Sequence, residues 1–149
     1  MENAILRILL ADDDEGDRLL FKVAFQDLEI KHTIHMVNNG LQLMEYLKTN
    51  AEALPHLIFL DLNMPCKNGL ECLKEIRGEG MFKEISIAVY STSALEKDIE
   101  ETFSHGANRY IKKPCNFGML KQLLNKAVTN FMIPQMESCK RSDFLLSIK

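Results

Sequence analysis

Five polar groups in this chain of 149 residues stand where a reaction is feasible: the pair Asp12-Asp13, Asp61, Ser91 and Lys113. Asp61 is the most telling, because the apolar run Leu57-Ile58-Phe59-Leu60 ends abruptly in it. A carboxylate at the tip of a buried strand is held in place and can be reached from one side. Such a group is a weak nucleophile at neutral pH, but it can form an acyl phosphate. Two further acids beside it would repel both Asp61 and an incoming phosphoryl group. A divalent cation such as Mg2+, which takes oxygen ligands, relieves that repulsion. A lysine ammonium and a serine hydroxyl suit the charge spread over the oxygens of a phosphoryl group in transfer. Asp61 is therefore expected to be phosphorylated, with the other groups serving that event.

The elements that must position these groups follow from hydrophobic spacing. Arg7-Ile8-Leu9-Leu10-Ala11 reads as a buried strand whose end carries Asp12-Asp13-Asp14. Glu15 to Leu28 changes to helical spacing, with Leu20, Ala24 and Leu28 on one face and Phe21 and Phe25 beside them. Thr33 to Val37 is a short β-branched segment, and Asn38-Asn39-Gly40 turns into a helix striped by Leu43, Met44 and Leu47. Beyond Pro65 and Asn68-Gly69, where the chain leaves the sheet, Leu70, Leu73 and Ile76 mark a third helix that Gly78 and Gly80 stop. Ile85 to Tyr90 is a fourth strand, and Ser93 with Glu96 has the spacing of a capping box. Leu95, Ile99 and Phe103 would form the inner face of the helix it starts. Arg109 to Lys112 is a last strand, and Asn116 can cap a final helix with Leu120, Leu123, Leu124, Ala127 and Phe131 inside.

Strand and helix alternate five times, which argues an α/β fold: a five-stranded parallel sheet with helices on both faces. In such sheets ligands bind at the carboxyl ends of strands. Those ends carry Asp12-Asp13, Asp61, Ser91 and Lys113. Alone, each has an ordinary reading: a solvated acidic loop, a turn former, a helix-entry hydroxyl, an exposed lysine. Their convergence on one edge is what carries weight.

Composition narrows the classes. A net charge of -3 gives no basic bias toward nucleic acid. No apolar run is long enough to span a bilayer, and Met1-Glu2-Asn3-Ala4 lacks the features of a signal peptide, so a cytoplasmic protein is expected. Cys66, Cys72, Cys115 and Cys139 match no zinc or redox spacing and read as free thiols, and His32, His35, His56 and His105 show no metal spacing either.

From about Arg7 to Phe131 the chain resembles the response-regulator receiver domain of two-component signalling, the CheY-like family. The likeness rests on Asp12-Asp13, on Asp61 with Asn63 and Pro65, on Ser91, on Tyr110 and on Lys113-Pro114, in that order. The opening Ala11-Asp12-Asp13-Asp14-Glu15-Gly16-Asp17 is most similar to small single-domain regulators that partner bacterial phytochrome histidine kinases. Ser91 stands where threonine is commoner, Tyr90 precedes it, and Cys115 follows the Lys-Pro pair where an aromatic is frequent.

The resemblance implies a flavodoxin-like strand order 2-1-3-4-5, with residues 5–132 as the receiver and 133–149 as a C-terminal tail without an effector domain. It implies Mg2+ held by Asp13, Asp61 and the backbone carbonyl of Asn63, with Asp12 acting through water. The donor would be a phosphohistidine on a sensor histidine kinase or a histidine phosphotransfer protein, and the receiver would catalyse its own phosphorylation and dephosphorylation. Asn63 and Ser93 would tune the lifetime of the phosphoryl group. Ser91 would move toward that group and Tyr110 would turn inward, reshaping a face that a downstream protein reads. Lys113-Pro114 would contain a cis peptide.

Residues 134–149 weaken in pattern until Phe144-Leu145-Leu146-Ser147-Ile148 turns apolar again, which fits a loose tail or a segment packed on the domain or on a second subunit. A homodimer through the last strand or this tail is one expected form. Two other functions compete. A haloacid-dehalogenase-like phosphatase needs a second aspartate two positions after the first as general acid, but Asn63 stands there. A phosphorylation-independent interaction module does not need the full set of Asp13, Asp61, Ser91 and Lys113.

Overall fold

The computed structural model describes residues 5–132 and 141–147. Strands β1 (Leu6–Ala11), β2 (His32–Val37), β3 (Leu57–Leu60), β4 (Ser86–Ser91) and β5 (Arg109–Lys112) form one sheet in the order β2-β1-β3-β4-β5. All neighbours run parallel. The crossovers are α1 (Glu15–Gln26), α2 (Gly40–Thr49), α3 (Gly69–Arg77) and α4 (Glu96–Ser104), and α5 (Phe117–Met132) follows β5. The expected fold and strand order are met.

The helices cover both faces, so the central strand is apolar at every position. Leu57 and Phe59 pack with Phe21 and Phe25 of α1 and with Leu120, Leu124 and Ala127 of α5. Ile58 and Leu60 face the other way, toward Leu43 and Leu47 of α2, Leu73 and Ile76 of α3 and Ile99 of α4. That alternation is the two-residue period of a strand buried on both sides.

Two helix faces differ from their expected ones. In α1 the buried residues are Phe21, Ala24 and Phe25, while Leu20 is 49% exposed. Aromatic rings fill the space above Phe59, where Phe21 meets its ring edge-on at 4.9 Å, and Leu20 falls one position off that face. In α4, Leu95 is exposed and serves as N-cap without a side-chain bond. The Ser93–Glu96 capping box does not form, because Ser93 Oγ is bonded to Asp98 Oδ2 at 2.5 Å and accepts from the Leu95 amide. The Asn116 cap does form, accepting from the Met119 amide at 3.0 Å. Described peptide bonds are all trans, including Lys113-Pro114, which corrects the cis expectation. Trans is favoured by about 0.5–1 kcal/mol even before proline.

Past α5, residues 141–147 lie along the outer side of β5. A short helix, α6 (Arg141–Phe144), leads into Leu145, which forms a parallel bridge to Tyr110. Phe144 is fully buried. The rest of the expected tail, with Cys139, lies outside the described residues. Of the other cysteines, Cys66 and Cys115 are exposed, while Cys72 is buried with its thiol pushed up to about 12 by that burial.

Candidate functional site

Register decides which groups meet at the strand tips. Ala11 pairs with Leu60, so Asp12 and Asp61 leave the sheet side by side, and the Asp61 amide donates to Ala11 O at 2.9 Å. Ser91 pairs with Lys112, and the Lys113 amide donates to Ser91 O at 2.7 Å. Two adjacent strand pairs thus deliver the acids and the lysine to one edge.

The turn after β3 is held by backbone fit. The Gly69 amide donates to Leu62 O at 3.0 Å, and a Cβ on Gly69 would lie only 2.2 Å from Asp61 O. Glycine here lets α3 begin directly beneath the strand tip. Asn68 and Glu71 form a reciprocal capping box that fixes the first turn of that helix.

Asp12, Asp13 and Asp61 each place a carboxylate oxygen within 4.8 Å of the others. Asp12 is fully buried, Asp61 is 5% exposed and Asp13 is exposed at the mouth. Asp61 Oδ1 accepts from the Asn63 amide at 3.2 Å, and Asp61 Oδ2 lies 3.5 Å from Lys113 Nζ. Asp12 Oδ1 accepts from the Asp14 amide at 2.9 Å. Its Oδ2 is buried, paired at 2.8 Å with Lys113 Nζ, and has no hydrogen-bond donor aligned on it. An all-oxygen set of three carboxylates, still net negative beside the Lys113 ammonium, fits a hard divalent cation. The residues present therefore suit the implied metal.

The electrostatics agree with that fit. Burial is the largest influence on Asp61 and raises its carboxyl from 3.8 to about 6; the charges of Asp12 and Asp13 add to the rise, and Lys113 and the Asn63 amide oppose it. Burial alone would lower Lys113, but Asp12, Asp17 and Asp61 more than offset it and hold the ammonium firmly charged. Lys113 Nζ also lies 5.2 Å from the centre of the Tyr90 ring, a cation–π arrangement.

The other expected residues sit one layer away. Ser91 is buried at the tip of β4, and its Oγ accepts from the Ser93 amide at 3.1 Å. Tyr110 is fully buried, and its hydroxyl donates to Ser93 O at 2.8 Å. Asn63 is exposed beside Asp61.

Sequence reasoning missed Asp17. It lies in the first turn of α1 and its carboxylate meets Lys113 Nζ at 2.8 Å. The Asp17 amide donates to the capping carboxylate of Asp14 at 2.7 Å, which orients that turn. Spacing alone makes Asp17 an ordinary acid at a helix start; the run of acids from Asp12 to Asp17 was the only hint.

The response regulator receiver domain family matches residues 8–125. The chain belongs to that family. Among curated proteins, this receiver is 34% identical over 113 residues to the response regulator Rcp1 of Synechocystis, covering 73% of this chain and 77% of Rcp1. Among solved structures, it resembles the phosphorylated cyanobacterial phytochrome response regulator RcpA at 35% identity and a TM-score of 0.77, covering 86% of this chain and 94% of that one. It also resembles the Mn2+-bound form of Rcp1 at 29% identity and a TM-score of 0.75, covering 89% and 98%. The receiver is thus close to phytochrome response regulators and is a two-component response regulator, and the phosphatase alternative falls away. No helix among the described residues is long and apolar enough to cross a membrane.

Proposed function

We propose that this receiver takes a phosphoryl group on Asp61, with Mg2+, from a sensor histidine kinase or a histidine phosphotransfer protein, and thereby switches a protein-interaction surface. The observation that carries this reading is the meeting of Asp12, Asp13 and Asp61 with Lys113 at one strand edge. Asp61 attacks the phosphorus of a phosphohistidine; a carboxylate O–P bond forms, the N–P bond breaks, and the imidazole leaves to be protonated. Lys113 neutralises charge on the transferring oxygens, and Ser91 offers them a hydroxyl donor. Bound Mg2+ would offset the repulsion among the three acids and the phosphoryl oxygens, held by Asp13, Asp61 and the carbonyl of Asn63, with Asp12 through water. Water later attacks phosphorus, returning free Asp61 and inorganic phosphate, at a pace set by Asn63 and Ser93. In both directions the receiver supplies the catalytic groups itself.

The donor is of the phytochrome-kinase type, as the likeness to RcpA and Rcp1 suggests. Leu19, Leu20 and Val23 expose an apolar strip on α1 next to the acidic edge, a surface on which a donor protein can rest. We place the protein in the cytoplasm, with residues 5–132 as the receiver and 133–149 as its C-terminal segment. Incubation with acetyl phosphate and Mg2+ tests the reading: an alkali-labile, cation-dependent gain of one phosphoryl group is expected in the wild type and none in Asp61→Asn. A stable, unmodified protein that still binds its partner would favour the phosphorylation-independent module.

A further inference from the structure

We infer that the outer margin of β5 is a binding site for a short helical turn followed by an extended stretch, that residues 141–147 of this chain are its occupant, and that this docking is coupled to phosphorylation of Asp61 through Tyr110. The coupling rests on the phosphoacceptor reading above; the docking does not.

The site is built from three kinds of contact. The first is strand addition: Leu145 bridges Tyr110 in parallel, and the Leu146 amide donates to Tyr110 O at 2.9 Å. Lys126 Nζ extends this by donating to Ser147 O at 2.7 Å. The second is an aromatic anchor. Phe144 is fully buried, edge-on to Phe103 at 5.2 Å and to Tyr110 at 6.0 Å between ring centres. The third fixes register: Arg141 reaches Glu96 and Glu100, one helical turn apart on α4, at 2.8 Å each. Leu146 is buried against the opposite layer of the core while Leu145 is 40% exposed, so the segment straddles the sheet margin and turns only one leucine outward. A tail resting by chance on a surface has no reason to satisfy backbone, aromatic and ionic partners at once.

Tyr110 ties this site to the phosphoacceptor edge. Its hydroxyl holds Ser93 O, and the Ser93 amide holds Ser91 Oγ. At its other end, the Tyr110 carbonyl holds Leu146 and the ring touches Phe144. A continuous chain of contacts therefore runs from the Ser91 hydroxyl to the docked segment. With Phe144 closing the outside, the Tyr110 ring cannot swing out unless the segment leaves. The ring is kept beneath residues 91–93, in the packing that remains available when Ser91 turns its hydroxyl toward a phosphoryl group. Docking and phosphorylation thus favour one another, and linkage makes the factor equal in both directions.

Amide hydrogen exchange on the full chain, with and without beryllofluoride and Mg2+ as a phosphoryl mimic, tests both halves. The Leu146 amide is expected to be protected, and to slow by about five-fold or more when the mimic binds. Phe144→Ala is expected to weaken equilibrium binding of the beryllofluoride mimic by a similar factor, with Met81→Ala, an exposed position away from the segment, unchanged. An unprotected Leu146 overturns the docking. Protection that ignores the mimic, in protein shown to bind it, overturns the coupling, as does unchanged or tighter binding of the mimic in Phe144→Ala. Protection that rises with protein concentration overturns occupancy by the chain's own segment and gives the groove to that of a second copy. Failure of Asp61 to load at all overturns the phosphoacceptor reading and the coupling with it, while Leu146 exchange still decides the docking.

Discussion

Lys113 is closer to Asp17 than to the phosphoacceptor: its Nζ lies 2.8 Å from Asp17 Oδ2 and 3.5 Å from Asp61 Oδ2. The ammonium must therefore be drawn from one carboxylate to serve the oxygens at another. Asp17→Asn removes one of the two carboxylates, Asp12 being the other, that hold the ammonium at 2.8 Å, and is expected to lengthen the phosphoryl lifetime by about two- to ten-fold, since each 1.36 kcal/mol off or onto a barrier is tenfold in rate. Asp17→Glu should stay near the wild type. Decay of the phosphorylated species after removal of acetyl phosphate measures it; an identical lifetime in Asp17→Asn would show that this pairing has no part in the chemistry.

Three acids crowd one edge, so the phosphoacceptor is a source of instability without cation. The Asp61 carboxyl is pushed up from 3.8 to about 6, first by burial. The folded state then binds this proton more tightly than the unfolded state, so the contribution is fully present below about pH 4 and is lost as pH rises through 6. Asp61→Asn should therefore gain stability relative to the wild type between pH 4.5 and 7, by on the order of 2–3 kcal/mol for a shift of about two units. Urea unfolding of both proteins in chelator, across that range, reads the difference. A constant offset with pH would contradict it.

Adding Mg2+ or Mn2+ should raise the wild-type midpoint in a concentration-dependent way, because a ligand of the folded state stabilises by mass action. Asp13→Asn removes a charge at the exposed mouth of the pocket and should need at least about tenfold more cation for the same rise, about 1.4 kcal/mol of binding. Thermal melts in a cation series measure this, and equal midpoints for the two proteins would remove Asp13 from the ligand set.

Gly69→Ala would set a methyl group 2.2 Å from the carbonyl oxygen of Asp61. Backbone on both sides leaves little to yield, so a loss of about 1–3 kcal/mol is expected from overpacking. Because the displaced atoms carry Asp61, loading by acetyl phosphate should fall as well. A fully active, equally stable variant would show that the start of α3 can retreat freely.

The strand-end acids were legible in the sequence because a strand covered on both faces must be apolar throughout, so its end is abrupt; Leu57 to Leu60 followed by Asp61 is such a boundary. The helix faces were less legible. Leu19-Leu20-Phe21 and Val23-Ala24-Phe25 offer several faces at helical spacing, and only the rings around Phe59 decide that Phe21 and Phe25 go inside. Ser93 looked like a cap because its spacing to Glu96 is right, but its hydroxyl is claimed by Asp98 two positions further on, and its carbonyl by the distant Tyr110. Asp17 and the seat of Phe144 depend on partners far off in the chain, at Lys113 and at Phe103 and Tyr110. No local period can signal such pairings.

A parallel sheet has two flanks, and copies that join flank to flank can go on adding without end. Here Leu145 and Leu146 already sit against β5 at Tyr110, which leaves β2 as the other rim of the sheet. While that seat is taken, a strand of another copy cannot pair with β5 at Tyr110, and β2 is the rim left open to it. Any strand added to β5 at Tyr110 must first displace Leu145 and Leu146 from it.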